Sequence, residues 1–486
     1  MSQFKSIEAY RSDLGSYSLL PFRFERFGED EVVLTNAVGE FTFLKRDKLD
    51  NFVAKRLPSS DPSYSELRAK HFLQEPGDAA SVQLLALKNR TKYQNLRNFT
   101  NLHIFVVTLR CDHSCPYCQV SRQSENKAAF NMSSETAQRA LDLVFRSPNP
   151  AIKIEFQGGE PLLNFDLIRE IVEAAEERNL TEGRELQFVI ATTLSLLTDD
   201  ILDFCRDHQI YLSTSLDGPE DLHNTNRPRP GRDSYARFAD GLRRARDYLG
   251  YDSVSALMTT SPASLDRVKE IIDEYVRQGF TSVFLRNLSP YGFALKTKSY
   301  QAYGSARWLD FYREGMDYIL DLNKKGIPFS EQFSSVLLTK MLTSNDPGYV
   351  DLMSPAGAGI AAVVFNYDGG VYASDESRML QEMGDASFRL GDVHTDNYTD
   401  IFTSTKLLDA LEDSFTLSAP MCSDCAFEPW CGADPVFHHA VFGDVLGRKP
   451  ESDFCKRTMG AVQYLLETMR KDQEAHDIFR GWVQKC

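Results

Sequence analysis

The stretch Leu102-His103-Ile104-Phe105-Val106-Val107-Thr108-Leu109, running into Arg110-Cys111-Asp112-His113-Ser114-Cys115-Pro116-Tyr117-Cys118, decides how this chain is read. The first eight residues are apolar and β-branched enough for a buried strand, and three cysteines stand just beyond its carboxyl end. From here the chain alternates. Further strand-like runs are Ile152–Phe156, Leu186–Ala191, Ile210–Leu216, Val254–Met258 and Ser282–Leu288. Helical periodicity lies between them over Glu135–Phe145, Leu167–Glu177, Tyr235–Tyr248 and Leu265–Gln278, with starts at Ser133 or Ser134 and at Ser264, and an end at Gly279. Six such units predict an α/β fold, a parallel sheet with right-handed crossovers, open or curled toward a barrel. In either form the chemistry belongs beyond the carboxyl ends of the strands.

Outward from residues 99–300, which hold this alternation, the flanks differ in kind. Residues 1–98 carry strand-like runs at Phe22–Phe27, Glu31–Thr35 and Glu40–Leu44, with a turn at Asn36 and Gly39. A polar, helix-prone stretch broken by Pro58, Pro62 and Pro76 follows, so a small α+β binding module is expected. Residues 301–410 predict a helical bridge, with helices over Arg307–Asn323 and Glu331–Leu342. A hairpin, Ala362–Tyr367 and Val371–Ser374, turns at Asp368-Gly369. Residues 411–486 hold a second cysteine group and a closing helix near Met459–Lys471.

At 486 residues the chain is long enough for two to four domains. Its net charge of −15 argues against a general affinity for nucleic acid. No run of eighteen apolar residues occurs, and the start MSQFKSIEAY lacks a cationic region followed by an apolar one. No membrane partner and a cytoplasmic location are therefore expected. Nine cysteines are present, and seven of them fall in two groups, a pattern that reads as metal ligation ahead of disulfides.

The first group, Cys111, Cys115 and Cys118, has C-x3-C-x2-C spacing. Three thiolates can hold three irons of a 4Fe–4S cubane and leave the fourth open, whereas a structural zinc needs a fourth ligand, for which His113 is the candidate. The second predicted strand ends in Glu155-Phe156-Gln157-Gly158-Gly159-Glu160-Pro161, where the glycines either allow close backbone approach or form a plain turn. The cysteine spacing, Tyr117 before the third cysteine and Gly158-Gly159-Glu160-Pro161 together resemble the radical S-adenosylmethionine (SAM) superfamily.

That resemblance implies a partial (β/α)6 TIM-type barrel, a SAM-binding 4Fe–4S cluster on Cys111, Cys115 and Cys118, and an electron donor such as flavodoxin or ferredoxin. Its SAM contacts map onto Tyr117, Gln157, Gly158, Gly159 and Glu160, the last accepting the methionine ammonium. They continue at strand ends through Thr192, Ser213, Ser215, Asp217, Arg227, Met258 and Arg286. The chemistry implied is reductive cleavage of SAM to methionine and a 5′-deoxyadenosyl radical that abstracts a substrate hydrogen. No catalytic base is assigned.

The second group, Cys422, Cys425, Cys431 and Cys455, offers four thiolates, enough for a fully ligated cubane or a structural zinc. The tail resembles the SPASM domain, whose full pattern has seven cysteines and two auxiliary clusters. Here Ser374, Asp434 in Gly432-Ala433-Asp434-Pro435 and, on a weaker alignment, Ser354 fall at or near places where cysteine is expected. The resemblance therefore implies one auxiliary 4Fe–4S cluster and two clusters in all, with Asp434 not a ligand. Cys205, beside Ile201, Leu202 and Phe204, reads as core, and Cys486 as a surface thiol.

Leu19-Leu20-Pro21-Phe22-Arg23-Phe24-Glu25-Arg26, the Asn36-to-Phe43 stretch and the Tyr-Asp-Gly hairpin resemble the B-type maturases of the His-Xaa-Ser peptide system. This implies a ribosomally made precursor peptide as partner and a crosslink as product, with carbon–carbon bonding the expected chemistry. The N-terminal region would then grip a leader by strand addition or serve as a scaffold cap. Two other readings stay open: a sulfatase-type maturase making formylglycine, and a non-catalytic zinc or iron–sulfur scaffold.

Overall fold

The computed structural model describes residues 16–124 and 126–483; the opening residues 1–15 and Cys486 lie outside the described residues. An N-terminal antiparallel sheet is built from β1 (Phe22–Phe27), β2 (Glu31–Asn36) and β3 (Phe41–Lys45) in sequence order. Its second hairpin closes where expected, with Gly39 N donating to Asn36 O. Helices Arg46–Val53, Pro62–Ala69 and Ala79–Lys92 follow, and Asp61 and Asp78 cap the latter two through their side chains.

The main sheet has eight strands. β4 (Leu102–Thr108), β5 (Ala151–Gly158), β6 (Glu185–Ala191), β7 (Tyr211–Ser215) and β8 (Val254–Leu257) pair in parallel in that order. Covering helices include Ser134–Val144, capped by Ser133, and Phe165–Glu182, Ser234–Leu249 and Val268–Arg277. Ser264 does not cap the last of these. Its hydroxyl accepts from Ser261 N in a turn ahead of the helix. Burial of β4 on both faces explains its unbroken apolar run, since helices cover one side of the sheet and the barrel interior the other.

The structure is mixed α/β with a parallel, barrel-like sheet, and its closing side departs from the simplest repeat. The chain reaches the sixth position, but only Ser282–Val283 is strand, paired in parallel with Ser330–Glu331 outside the main sheet. Beyond it Leu285 N donates to the buried Glu331 carboxylate and Leu285 O accepts from Trp308 Nε1, so side chains take the bonds a neighbouring strand would fill. Thr260 N donates to Arg286 O at 2.8 Å and Tyr303 Oη bridges Leu288 N to Thr260 O, linking this segment to the chain just beyond β8.

On the other side β9 (Ala362–Phe365) adds in parallel to β4. β10 (Gly370–Tyr372) and β11 (Arg389–Asp392) then continue the sheet antiparallel. The hairpin predicted at Asp368-Gly369 is therefore an extension of the barrel sheet, and Gly369 takes the positive φ of 92° that its turn needs. Helices Ser305–Lys324, Gln332–Leu342, Asp453–Lys471 and Gln473–Trp482 pack together behind it. Among the described residues no helix is long and apolar enough to cross a membrane.

Candidate functional site

The parallel strands end in one cavity of about 230 Å³. Into it the structure brings Cys111, Cys115, Cys118 and Tyr117 from the loop after β4, and Gln157, Gly158 and Gly159 from the end of β5. Thr192, Ser213 and Ser215, Arg227, Met258 and Arg286 of the expected set also line its walls. Neighbours that strand-end reasoning passed over are Gln119, Arg122, Glu155, Thr214, Asp375 and Met379. Gln119 follows the last cysteine directly, and Thr214 stands between two serines already singled out. The signal for both was proximity.

The cysteine loop is held from several sides. Ser114 N donates to Pro228 O at 2.7 Å, Phe293 N donates to Cys118 O at 2.8 Å, and Cys118 N closes a turn on Cys115 O. His113 is buried, with Nδ1 2.7 Å from Asp112 Oδ1 and Nε2 2.9 Å from Ser234 Oγ. A sulfur, a carboxylate oxygen and a ring nitrogen of Cys111, Asp112 and His113 do lie within 4.8 Å of one another. Yet both ring nitrogens of His113 have partners, which leaves the three thiols as the free donors of the loop. Burial pushes Cys115 up to about 12 and Cys111 above the usual thiol range, so thiolates here need a bound cation to stabilise them.

Gly158 and Gly159 make their close approach to protein. A Cβ on Gly159 would stand 2.2 Å from Arg110 O, and one on Gly158 2.0 Å from Thr108 O. Gly159 N donates to Thr108 O at 2.9 Å and Glu160 N to Arg110 O at 2.8 Å. The glycines thus fasten β5 to the residue that precedes Cys111.

Two expected contacts lie behind the cavity wall. Glu160 is fully buried, and its carboxylate accepts from Thr192 Oγ1 and Leu162 N on one oxygen and from Thr193 N and Oγ1 on the other. Four donors hold it, so it braces the end of β6. Asp217, also fully buried, accepts from Tyr117 Oη at 2.5 Å and from Arg227 Nε at 3.1 Å and Nη2 at 3.2 Å. It orients Tyr117 and Arg227, which do line the cavity. Both act on the cavity through the residues they hold, and burial pushes Glu160 above the usual carboxylate range despite its donors.

The cavity fits a polar cofactor. Gln119 Nε2, Thr214 Oγ1 and Arg122 Nε are buried in residues of its lining and have no protein partner. Unpaired polar atoms of this kind are costly unless a ligand meets them.

The second cysteine group forms a tail site. Cys425 N turns back to Cys422 O, Cys431 N to Phe427 O, and Cys455 opens the helix capped by Ser452. The four thiols act on one another electrostatically, and burial first, then this proximity, pushes Cys425 up to about 11. Lys340 donates to Cys431 O at 3.1 Å. The N-terminal sheet clamps the same loop: Thr35 Oγ1 donates to Ala426 O, Trp430 Nε1 to Gly39 O, and Arg23 pairs with Glu428 at 3.1 Å.

The serines read as vacant cysteine places do structural work. Ser374 caps helix Asp375–Gln381 in a capping box with Ser377, and Ser354 Oγ accepts from Thr416. Asp434 caps helix Pro435–Phe442 by accepting from Phe437 N. Cys205 is fully buried, as expected.

Comparison with known proteins agrees with this geometry. The sequence profile of the radical SAM superfamily matches residues 105–275. The Methanocaldococcus jannaschii protein MJ0907 is 29% identical over 188 residues, 38% of this chain. This chain spans 62% of that protein and 64% of a Methanothermobacter thermautotrophicus relative. A cysteine-type anaerobic sulfatase-maturating enzyme from Clostridium perfringens is 23% identical over 337 residues, covering 66% of this chain and 84% of its own. Among solved structures, native anSMEcpe with bound AdoMet superposes with a TM-score of 0.62 at 16% identity, over 79% of this chain and all of the other. Streptococcus suis SuiB bound to precursor peptide SuiA does so with a TM-score of 0.53 at 13% identity, over 90% and 99%. Residues 105–275 are a radical SAM domain.

Proposed function

We propose that this protein is a radical SAM maturase that installs a crosslink in a ribosomally made precursor peptide. The observation that carries the reading is the meeting of three free thiols with unpartnered polar groups in one strand-end cavity, together with a four-thiol site in the tail. Cys111, Cys115 and Cys118 would hold the SAM-binding 4Fe–4S cluster, and Cys422, Cys425, Cys431 and Cys455 the auxiliary one.

The groups these residues would hold would supply one-electron reductive cleavage of SAM and hydrogen abstraction from the substrate. The protein positions and encloses. Gly158 and Gly159 fix the cysteine loop against β5, Glu160 fixes the Thr192-Thr193 strand end, and Asp217 aims Tyr117 and Arg227 at the cavity. Gln119 Nε2 and Thr214 Oγ1 offer unused hydrogen bonds to the cofactor. The outer edges of β1 and β3, each paired on one side alone, offer the N-terminal sheet for strand addition by a peptide.

The test is co-expression with short open reading frames encoded beside the gene, followed by mass spectrometry. A loss of about 2 Da per crosslink without chain cleavage is expected, since each crosslink removes two hydrogens. A second reading, oxidation of a cysteine or serine to formylglycine, draws on the similarity to sulfatase-maturating enzymes over 66% of the chain. A single aldehyde at such a residue would establish that reading and overturn the crosslink.

A further inference from the structure

The backbone of the cysteine loop already offers a hydrogen bond to one of its sulfurs: His113 N donates to Cys111 Sγ at 3.4 Å. Behind that N–H the His113 ring is 3% exposed and tied down at both nitrogens. The tie is a chain of hydrogen bonds that crosses from the cysteine loop to the segment just beyond β7.

The protons of that chain are fixed from its ends. Asp217 N, a backbone group that can only donate, is 3.4 Å from His223 Nδ1, so Nδ1 is the bare nitrogen of that ring. His223 then carries its proton on Nε2 and donates it to Ser234 Oγ at 3.1 Å. Ser234 keeps its own single proton for His113 Nε2, 2.9 Å away. His113 donates from Nδ1 to Asp112 Oδ1 at 2.7 Å, and Ser195 Oγ donates to the other oxygen of that carboxylate at the same distance. Each donor meets an acceptor along the whole path, and the chain runs one way.

The environment keeps this arrangement. His223 and Ser234 are both buried, one in the helix Glu220–Asn226 and the other opening the helix Ser234–Leu249. Burial pushes His223 down to about 3, which agrees with a neutral ring. The rings of Tyr235 and Phe238, centred 5.8 and 5.7 Å from that of His223, hold it in place. Asp217, at the far end, is the residue that orients Tyr117 and Arg227 at the SAM cavity. Linked bonds of this kind lose more than one contact when a member is removed.

We propose that His113 is a positioning residue for the cluster on Cys111, Cys115 and Cys118: Ser234 and His223 anchor its ring, so that its backbone N–H stays on Cys111 Sγ and stabilises the reduced state. Hydrogen bonds to sulfur are among the features that set iron–sulfur potentials, and a donor favours the more negative, reduced form. This deepens the radical SAM reading and rests on it.

The test is a redox titration of full-length, anaerobically reconstituted protein with dithionite as the one-electron donor, followed by electron paramagnetic resonance. The signal that changes on adding SAM belongs to the first site, which separates it from the tail. Ser234→Ala cuts the chain without touching the cysteine loop. Reduction of the SAM-responsive cluster should become about tenfold less favourable, a fall of about 59 mV in its midpoint potential. His113→Leu should lower the potential at least as far, and keeps the test open where Ser234→Ala fails to fold. Ser234→Thr, which retains the hydroxyl, should keep the potential of the parent.

A folded, iron-loaded Ser234→Ala or His113→Leu protein with the parent's potential would overturn the inference, because a merely structural hydroxyl costs stability and leaves a retained cluster unchanged. A fall in Ser234→Thr equal to that in Ser234→Ala would overturn it too. A parent protein with no SAM-responsive signal overturns the cluster reading itself.

Discussion

Gly159 and Glu160 are neighbours with opposite demands, one needing empty space and the other a full shell of donors. A methyl group at Gly159 would strike the carbonyl of Arg110, backbone that cannot swing aside. Gly159→Ala should therefore displace the Cys111 loop while sparing the tail site, which Gly159 does not touch. Iron in anaerobically purified protein should fall from about eight to about four atoms per chain, read by metal analysis and electron paramagnetic resonance. Glu160→Gln turns an amide NH2 toward Leu162 N or Thr193 N, backbone groups that can only donate. We expect a loss of about 1–3 kcal/mol in stability and a several-fold weaker SAM dissociation constant, measured by equilibrium binding. The motif residues could be found in the sequence, but which of them touch the cavity could not. Spacing placed Glu160 and Asp217 at strand ends correctly. Their turn away from the cavity depends on Thr192, Thr193, Tyr117 and Arg227, partners up to a hundred residues distant.

Among the elements, strand–helix periodicity gave five parallel strands to within about two residues, because each carries its own apolar run or a polar end beside the site. The sixth failed for a local reason. Ser282–Leu288 has the composition of a strand, but Glu331 and Trp308 satisfy the backbone of Leu285. Glu331 also accepts from Phe333 N and Ser334 N, capping the helix that follows. Glu331→Ala would leave these buried donors unpaired, and a loss of about 2–4 kcal/mol is expected in anaerobic denaturant unfolding. Glu331→Gln, which keeps one acceptor oxygen, should lose less. Similarly, the hairpin near Gly369 was legible from its turn residues, whereas the pairing of β9 with β4 was not. That partnership joins segments some 260 residues apart, and strand composition carries no record of its neighbour.

Taken whole, the molecule is stitched across its sequence regions, and two predictions belong at this scale. The N-terminal sheet is tied to the tail loop through Arg23, whose partner Glu428 has a side chain only 2% exposed. Arg23→Ala should cost about 3 kcal/mol by leaving that carboxylate without its cation, and should speed hydrogen exchange across residues 422–431. The second concerns acid. His103, 1% exposed in β4 at the middle of the eight-stranded sheet, is held by burial down to about 4, against about 6.5 when unfolded. Between those values the unfolded chain binds more protons, so stability is present above about pH 6.5 and is lost as pH falls toward 4. About 2 kcal/mol should disappear between pH 7 and pH 5, and His103→Phe should flatten that slope in unfolding measured at both values.

The thiols of Cys111, Cys115 and Cys118 are the centre on which the account turns, and reductive SAM cleavage tests them directly. Anaerobically reconstituted protein, supplied with SAM and dithionite, should release 5′-deoxyadenosine and methionine in equal amounts. The protein with all three cysteines changed to alanine should release neither while keeping the iron of the tail site. Equal release by both proteins, or none from the iron-loaded parent, would contradict the account.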